Sequence, residues 1–362
     1  AAGTGAARRG APIPGGEAAG DVGEGHHAMS ARLGNLPATP GARAPAAARV
    51  PLTVVICARN EEENLPAALA SVRWAEAVVV VDSRSPDRTA AIALDAGAEV
   101  VQFDYRGHGP KKQQWALDNL DFRTDWVLFL AADERVPPEL RGEIAEAVRA
   151  GSADGYCLDR ELWFMGRSLR CFRPNWGLRL FRHRLARMED LGLRDLPGTG
   201  DIEVHEHFVL DGGRIGYLPT PLRHDDDRGL SAWLDRHNRY ATWEAHLYRR
   251  FRREPVGVGP LGFLRLDPVR RKRVLRRIWV RLPCRPLLRF AVWYGARRGF
   301  LDGRQGFYFC ALMAWYELAI SAKLFELRGS GGLESEAGTQ AAGGHAQPSV
   351  SPPVDQGSSH HG

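Results

Sequence analysis

The residues best suited to chemistry in this chain are acids that follow short apolar runs. Leu52–Cys57 leads into Ala58-Arg59-Asn60-Glu61-Glu62-Glu63-Asn64, Ala77–Val81 into Asp82-Ser83-Arg84-Ser85-Pro86-Asp87-Arg88, and Trp126–Ala131 into Ala132-Asp133-Glu134. A carboxylate so placed can accept from a nucleobase or ribose, or ligate a hard cation that in turn holds a diphosphate. The plainer alternative is that acids near helix starts stabilise the helix dipole; three coincident ends weaken it. Later in the chain Asp201, Glu203 and Glu206 are candidates for a general base. In a strand Glu203, His205 and His207 share one face and Glu206 the other, so spacing alone does not choose among them. His224, followed by Asp225-Asp226-Asp227, is a candidate extra metal or phosphate contact, whereas His205 and His207 lack a third ligand at a diagnostic spacing. Lys111 and Lys112 open a helical pattern after Gly107-His108-Gly109-Pro110, where free N–H groups can join a cation in holding phosphate.

The elements that must position these residues alternate. Strands are expected over Leu52–Cys57, Ala77–Val81, Glu99–Phe103 and Trp126–Ala131, and helices over Glu63–Val72, Thr89–Ala96, Lys112–Leu120 and Pro137–Ala150. Ser85 stands where an N-cap is expected, with Pro86 at the first helical position. Alternation at this length predicts an α/β fold with a mostly parallel sheet and crossover helices. Ligands of such sheets sit at the carboxyl ends of the strands, where the acids are. Trp233–Tyr248 is helical by pattern and is expected to bring His237, Arg239, Tyr240 and Trp243 to the acceptor side, or simply to pack.

With the residues in this order, the chain resembles the family 2 glycosyltransferases. Val54-Val55-Ile56-Cys57-Ala58-Arg59-Asn60-Glu61-Glu62 is similar to their opening strand, Val80-Val81-Asp82-Ser83-Arg84-Ser85-Pro86-Asp87-Arg88-Thr89 to their second signature, and Trp126 through Val136 to their metal-binding strand end. Gly200-Asp201-Ile202-Glu203-Val204-His205-Glu206-His207 and Gly299-Phe300-Leu301-Asp302-Gly303 resemble the subgroup that includes lipopolysaccharide inner-core glucosyltransferases. The resemblance spans about Pro51 to Leu327. It implies a GT-A fold, inversion at the anomeric carbon, a nucleotide-diphosphate sugar donor such as a UDP-hexose, and Mg²⁺ or Mn²⁺. Carried over, it implies donor-binding roles for Ala58, Glu61, Asp82 and Ala132, with Lys112 added from its helix start. It makes Asp133 a metal ligand, with His224 as the extra contact, and Glu206 the base, with Asp201 second. Ala131 departs from the pattern, which usually carries aspartate there. The change is expected to weaken donor binding, and it also fits a nucleotide-sugar-binding protein that no longer transfers.

Length and composition set the frame. The chain has 362 residues, 44% hydrophobic and 25% charged, enough for a substantial core and incompatible with a wholly disordered or fibrous protein. Five cysteines without a CxxC or zinc spacing argue against a disulfide framework or structural metal and for a reducing, cytoplasmic setting. Residues 1–49 and 329–362 are rich in small residues and proline and read as disordered, with Met29 a candidate start and no apolar run of signal-peptide type. The expected organisation is a catalytic domain over 50–228 and a basic amphipathic helical region over 229–328.

Net charge is +6, but Arg249–Arg298 holds sixteen Lys or Arg against Glu254 and Asp267. Gly306–Phe325 is twenty residues long, about 30 Å as a helix and just enough to span a bilayer. Its seven Leu, Ile and Phe side chains gain roughly 3 kcal/mol, and Glu317 alone costs about as much. In-plane or core-packed helices with a basic collar are therefore expected, giving peripheral or monotopic attachment to the cytoplasmic face of the inner membrane. The partners expected are the nucleotide-sugar donor, a lipid-linked saccharide acceptor and that membrane surface. A pI of about 9.2 also admits a nucleic-acid-binding protein, but no zinc, RNP-like or helix-turn-helix signature accompanies the charge, and no nucleic-acid partner is expected.

Overall fold

The computed structural model describes residues 49–105, 110–189, 206–255 and 268–341. The N-terminal 48 residues, the segment from 342 onward, Asp201, Glu203 and His205 lie outside the described residues.

The opening half alternates as its apolar runs predict. It comprises β1 (Val50–Ala58), α1 (Leu65–Ser71), β2 (Ala75–Asp82), α2 (Thr89–Asp95), β3 (Glu99–Gln102), α3 (Lys112–Asn119), β4 (Trp126–Ala131), the short β5 (Glu134–Arg135) and α4 (Pro138–Ala150). Then come β6 (Gly155–Phe164), β7 (Arg167–Ser168), β8 (Gly177–Arg182), β9 (Ala186–Met188), β10 (Phe208–Leu210) and β11 (Ile215–Asp225). The main sheet has the order β3-β2-β1-β4-β8-β6-β11-β5, with β7 on β6, while β9 and β10 form a separate pair. Strands β1 to β4 are mutually parallel where they pair, β8 runs antiparallel to both β4 and β6, and β11 is parallel to β6.

Both faces are covered, which is why these strands read as continuous apolar runs rather than alternating ones. Leu52, Val54 and Ile56 pack with Leu65 and Leu69 of α1 and Leu140 and Ile144 of α4. Val55, Val127 and Phe129, on the other face, pack with Ala116 of α3, Phe181 and Phe208. Register aligns the strand ends: Ala58 pairs with Asp82, Cys57 with Ala131, and Asp82 with Gln102. Adjacent strands are about 4.8 Å apart, so the three acid-bearing ends sit side by side.

One local expectation is corrected. Ser85 does not cap α2, which begins at Thr89 with Arg88 at the cap position. The Ser85 hydroxyl donates to Asp82 instead and accepts the Asn60 N–H at 2.9 Å. Asp87 takes over at the helix start, accepting the Thr89 N–H at 3.0 Å. The Ser85 side chain thus stitches two strand-end loops rather than serving its own helix.

Beyond Arg228 the regular structure of the described residues is helical: α5 (Gly229–Arg253), α6 (Pro268–Trp279), α7 (Arg285–Phe290), a π-helical turn (Ala291–Ala296), a 3₁₀ turn (Gly299–Asp302) and α8 (Gly303–Ala341). These helices share a core with the sheet, because Leu162 and Phe164 of β6 pack with Trp233 of α5 and Phe309 and Cys310 of α8. A further cluster joins Ala241, Ala245 and Tyr248 of α5 to Val280 and to Tyr316, Ile320 and Leu324 of α8. No helix among the described residues is long and apolar enough to cross a membrane.

Candidate functional site

The strand-end acids occupy one edge of the sheet, held by different partners. Asp82 is 1% exposed and accepts from the Ser85 N–H at 3.1 Å and from Gln102 Nε2 at 3.1 Å. The Ala58 carbonyl beside it accepts the Ser83 N–H at 3.2 Å and Lys112 Nζ at 2.8 Å. Lys112 is buried, so its charge ties the start of α3 to the end of β1. The side chains of Ala58 and Ala132 are buried in the core, so only their backbone groups are left for polar contacts.

Asn64 organises the loop after β1. Its side chain donates to Glu61 Oε2 at 2.8 Å and Asp226 Oδ1 at 3.0 Å, and its Oδ1 accepts the Asp227 N–H at 2.8 Å. The acids after β11 are thereby drawn against those after β1. Arg228 bridges them, with NH1 3.0 Å from Glu61 Oε1 and Nε 2.8 Å from Asp226 Oδ1. Burial pushes the Glu61 carboxyl up to about 7, aided by Asp133 and opposed by Arg228. Burial acts the same way on Asp226, but hydrogen bonding to Arg228 and the charge of Arg236 outweigh it and hold Asp226 well below the usual carboxylate range. Two neighbouring carboxyls are thus pushed in opposite directions, because Asp226 receives two guanidiniums and Glu61 one.

Asp133 is placed between β4 and β5. Its carbonyl accepts the Asp225 N–H at 2.9 Å, and the pairing of His224 with Glu134 brings the imidazole alongside. His224 Nδ1 lies 3.5 Å from Asp133 Oδ1, is buried and makes no hydrogen bond among the described residues. Arg236 of α5 approaches the other Asp133 oxygen at 3.8 Å while pairing with Asp226 at 2.6 Å. Glu134, 0% exposed, adjoins this group of charges, its Oε1 4.0 Å from His224 Nδ1. It accepts the Ala131 N–H at 2.8 Å and Arg179 NH2 at 3.2 Å, and Arg160 lies 3.9 Å away. Its burial would raise its pKa, but Arg179, then Arg160 and His224, bring it below the ordinary value.

Among the described residues no three His, Cys, Asp or Glu side chains converge as a metal cage. Asp133 and the orphaned His224 nitrogen nevertheless fit a divalent ion that takes its remaining oxygens from phosphate and water, the usual habit of Mg²⁺.

Glu206 is not the solvated acid of an edge strand. It lies just before β10, and its side chain is 8% exposed with Lys111 Nζ 3.1 Å from Oε1. Lys111 therefore faces a carboxylate, and its ammonium also lies 5.5 Å from the centre of the Trp243 ring. Trp243 and Arg236 are seven residues apart on α5, so they share a face about 10 Å apart along its axis. One helix face thus links the Asp133 neighbourhood to the Glu206 pair. On the same helix His237 stacks on Trp233 at 3.5 Å and donates from Nδ1 to the Trp233 carbonyl at 2.8 Å. Burial lowers its pKa to about 4, so it is a neutral packing group.

Residues 53–203 match the sequence profile of Glycosyl transferase family 2. A glycosyltransferase of Rickettsia felis is 33% identical over 202 residues, 54% of this chain and 69% of that one. The chain belongs to the family 2 glycosyltransferases. The lipopolysaccharide core biosynthesis glycosyltransferase LpsC of Rhizobium meliloti is 28% identical over 60% of this glycosyltransferase and 81% of LpsC. A glycosyltransferase of Rickettsia bellii, 33% identical, is matched over 35% of its own length and 29% of this chain. Among solved structures, a mannosyltransferase of Pyrobaculum calidifontis in complex with GDP-Man and Mn²⁺ superposes with a TM-score of 0.42 at 19% identity, covering 77% of this chain and 88% of that one. The sheet described above, mostly parallel with helices on both faces, is the GT-A arrangement of this glycosyltransferase.

Sequence reasoning missed four arginines: Arg228 and Arg236 beside Glu61, Asp226 and Asp133, and Arg160 and Arg179 against the neighbouring Glu134. Arg228 carried a signal, since it ends the run Asp225-Asp226-Asp227-Arg228 at the start of a helical pattern. The other three come from separate strands and a helix, and no local pattern marks them.

Proposed function

We propose that this glycosyltransferase moves a hexose, with inversion, from a nucleotide-diphosphate sugar of the UDP-hexose class to a lipid-linked saccharide of the lipopolysaccharide-core type. The observation that carries this reading is the side-by-side ending of β1, β2 and β4, where Ala58 pairs with Asp82 and Cys57 with Ala131, with Asp133 two residues past Ala131 and His224 Nδ1 3.5 Å from it. In it, Asp82 and Glu61 hold the base and ribose, with the backbone at Ala58 and Ala132 lining the donor and Lys112 fixing the β1 end. Asp133 and His224 would hold Mg²⁺ or Mn²⁺. When bound, the ion offsets negative charge developing on the leaving diphosphate. Arg228 and Arg236, already close to these acids, are placed to turn to the diphosphate and share that charge.

Glu206 takes the proton from the acceptor hydroxyl as that oxygen attacks the anomeric carbon from the side opposite the diphosphate. To do so it must free one oxygen from Lys111, which then stays to hold the other. Asp201 is the second candidate for this role. Residues 50–228 form the catalytic part and 229–328 the helical part. The membrane reading rests on exposed apolar side chains of that part, including Leu287, Leu318 and Phe325, the last 77% exposed. It predicts peripheral or monotopic attachment at the cytoplasmic face of the inner membrane.

The test is a panel of UDP- and GDP-sugars, with and without Mn²⁺, read by thermal shift and by transfer to extracted lipid-linked core saccharide. One donor is expected to raise the melting temperature only with metal. Glu206→Gln is expected to lower transfer about 10²- to 10⁴-fold while that shift persists. Full transfer by the variant removes Glu206 from the role, and recovery of all the protein in the soluble fraction at low salt removes the membrane.

A further inference from the structure

Arg160 of β6 is a cation with too little to bind. A guanidinium carries five N–H donors, yet Arg160 Nε is buried with no hydrogen-bond partner among the described residues. The carboxylate beside it, Glu134, is 3.9 Å from NH1, beyond hydrogen-bond reach. Glu134 is also already engaged, by Arg179 at 3.2 Å and the Ala131 N–H at 2.8 Å. Two guanidiniums therefore share Glu134, with the charges of Asp133 and Asp159 also acting on Arg160. Burial first, and then the facing Arg179, press the Arg160 pKa below the ordinary arginine value. Leaving a buried donor unpaired is costly, and a second anion would relieve both the missing bonds and the like-charge contact. The side chains of Arg160 and Arg179 are 31% and 14% exposed, so the pair remains within reach of a ligand.

The sheet order places this pair. Asp82 ends β2 and Asp133 follows β4, while β8 and β6, which carry Arg179 and Arg160, continue the sheet on the side of β4 away from β2. The pair therefore lies on the side of the β4 end away from Asp82, while Asp133 itself is held against β11, the strand beyond β6, by the Asp225 N–H that its carbonyl accepts at 2.9 Å. In an inverting displacement the acceptor enters opposite the departing diphosphate, so a group bound there belongs to the acceptor half. We propose that Arg160 and Arg179 form an anion subsite that reads a carboxylate or phosphate carried by the acceptor saccharide. This deepens the function proposed above and rests on it for the position of the donor.

The test uses the full chain and Arg160→Gln. Calorimetry gives the affinity for UDP and GDP with Mn²⁺, and ligand-observed NMR titration compares methyl glucuronide and glucose 6-phosphate with neutral methyl glucoside. The expected result is that an anionic saccharide binds the unaltered protein at least about ten-fold tighter than the glucoside. Arg160→Gln is expected to erase that margin while nucleotide affinity stays within about two-fold. Arg160→Lys, which keeps the charge without the fork, is expected to retain part of the margin, and it serves if the Gln variant does not fold. Equal binding of acidic and neutral saccharides by the unaltered protein overturns the subsite. Loss of nucleotide affinity in Arg160→Gln with the margin intact assigns the guanidinium to the donor diphosphate and overturns it too. Failure of the unaltered protein to bind either nucleotide is a separate readout, which sinks the donor reading and the acceptor assignment with it.

Discussion

The sheet edge and the helical region both bury carboxylates among arginines, but they satisfy them differently. In the helical region Glu317 is 0% exposed and receives Arg285 Nε at 2.8 Å, Arg289 NH2 at 2.6 Å and Trp279 Nε1 at 3.2 Å. Arg285 spends its remaining donors on the Val280 carbonyl at 3.0 Å and Ser321 Oγ at 2.7 Å. That network is closed, and its work is to lock α7 and the Trp279 end of α6 onto α8. At the sheet edge Asp133 has His224 at 3.5 Å and Arg236 at 3.8 Å, neither a hydrogen bond, and Arg160 Nε has no acceptor among the described residues. A closed network fixes a fold, whereas unused donors and acceptors at a strand-end edge suit the donor site proposed above.

The strongest way to break this contrast is Asp133→Asn. Transfer is expected to fall on the order of 10³-fold, with Mn²⁺-dependent nucleotide binding lost, because the variant removes the charge that would hold the ion. The unfolding midpoint is expected to stay nearly unchanged, since no side-chain hydrogen bond is given up. Preserved transfer, or a collapse in stability, would contradict the open reading.

Glu317→Ala tests the closed side. It strands Arg285 and Arg289, and urea unfolding is expected to show a loss of about 3–5 kcal/mol. A change below about 1 kcal/mol would mean that the network holds nothing, as exposed pairs often do.

Glu61 gives a smaller effect with a defined sign. Its folded pKa of about 7 stands above the ordinary 4.5, so the folded state binds the proton more tightly than the unfolded chain. Stability in the absence of metal therefore falls as pH rises from about 4.5 through about 7, by roughly 1–3 kcal/mol. Glu61→Gln should flatten that slope in a series of melts from pH 4.5 to 8, and an unchanged slope would assign it to other groups. The smallest effect is expected from Ala131→Asp. An added carboxylate beside Asp133 is expected to tighten Mn²⁺-dependent UDP binding about five-fold, near 1 kcal/mol. Calorimetry showing no gain would mean that the site functions with alanine there.

The charge-rich segment shows how far a local window can be trusted. Sixteen cations against two acids between Arg249 and Arg298 read as a solvated or membrane-facing collar. In the fold Arg276 pairs with Glu244, and Arg285 and Arg289 with Glu317, acids that lie outside that window. Arg252 and Arg297 donate to the Val280 and Cys171 carbonyls at 3.1 and 2.6 Å. Much of the apparent surplus is therefore spent on holding helices together. Glu317, a cost when counted against the bilayer, is paid back by its own arginines.

By itself the sequence determined the alternation of β1 to β4 with their helices, and the arrival of Glu61, Asp82 and Asp133 at one edge. Continuous apolar runs and the acids that end them are local features, and a parallel sheet gives them a common direction. Only the tertiary structure decided which charges meet: Glu206 with Lys111, Asp226 with two arginines, His224 with Asp133, and Arg160 with too few partners. The longest of those encounters joins residues 95 positions apart, and a pairing that depends on strand order and register leaves no trace in the spacing along the chain.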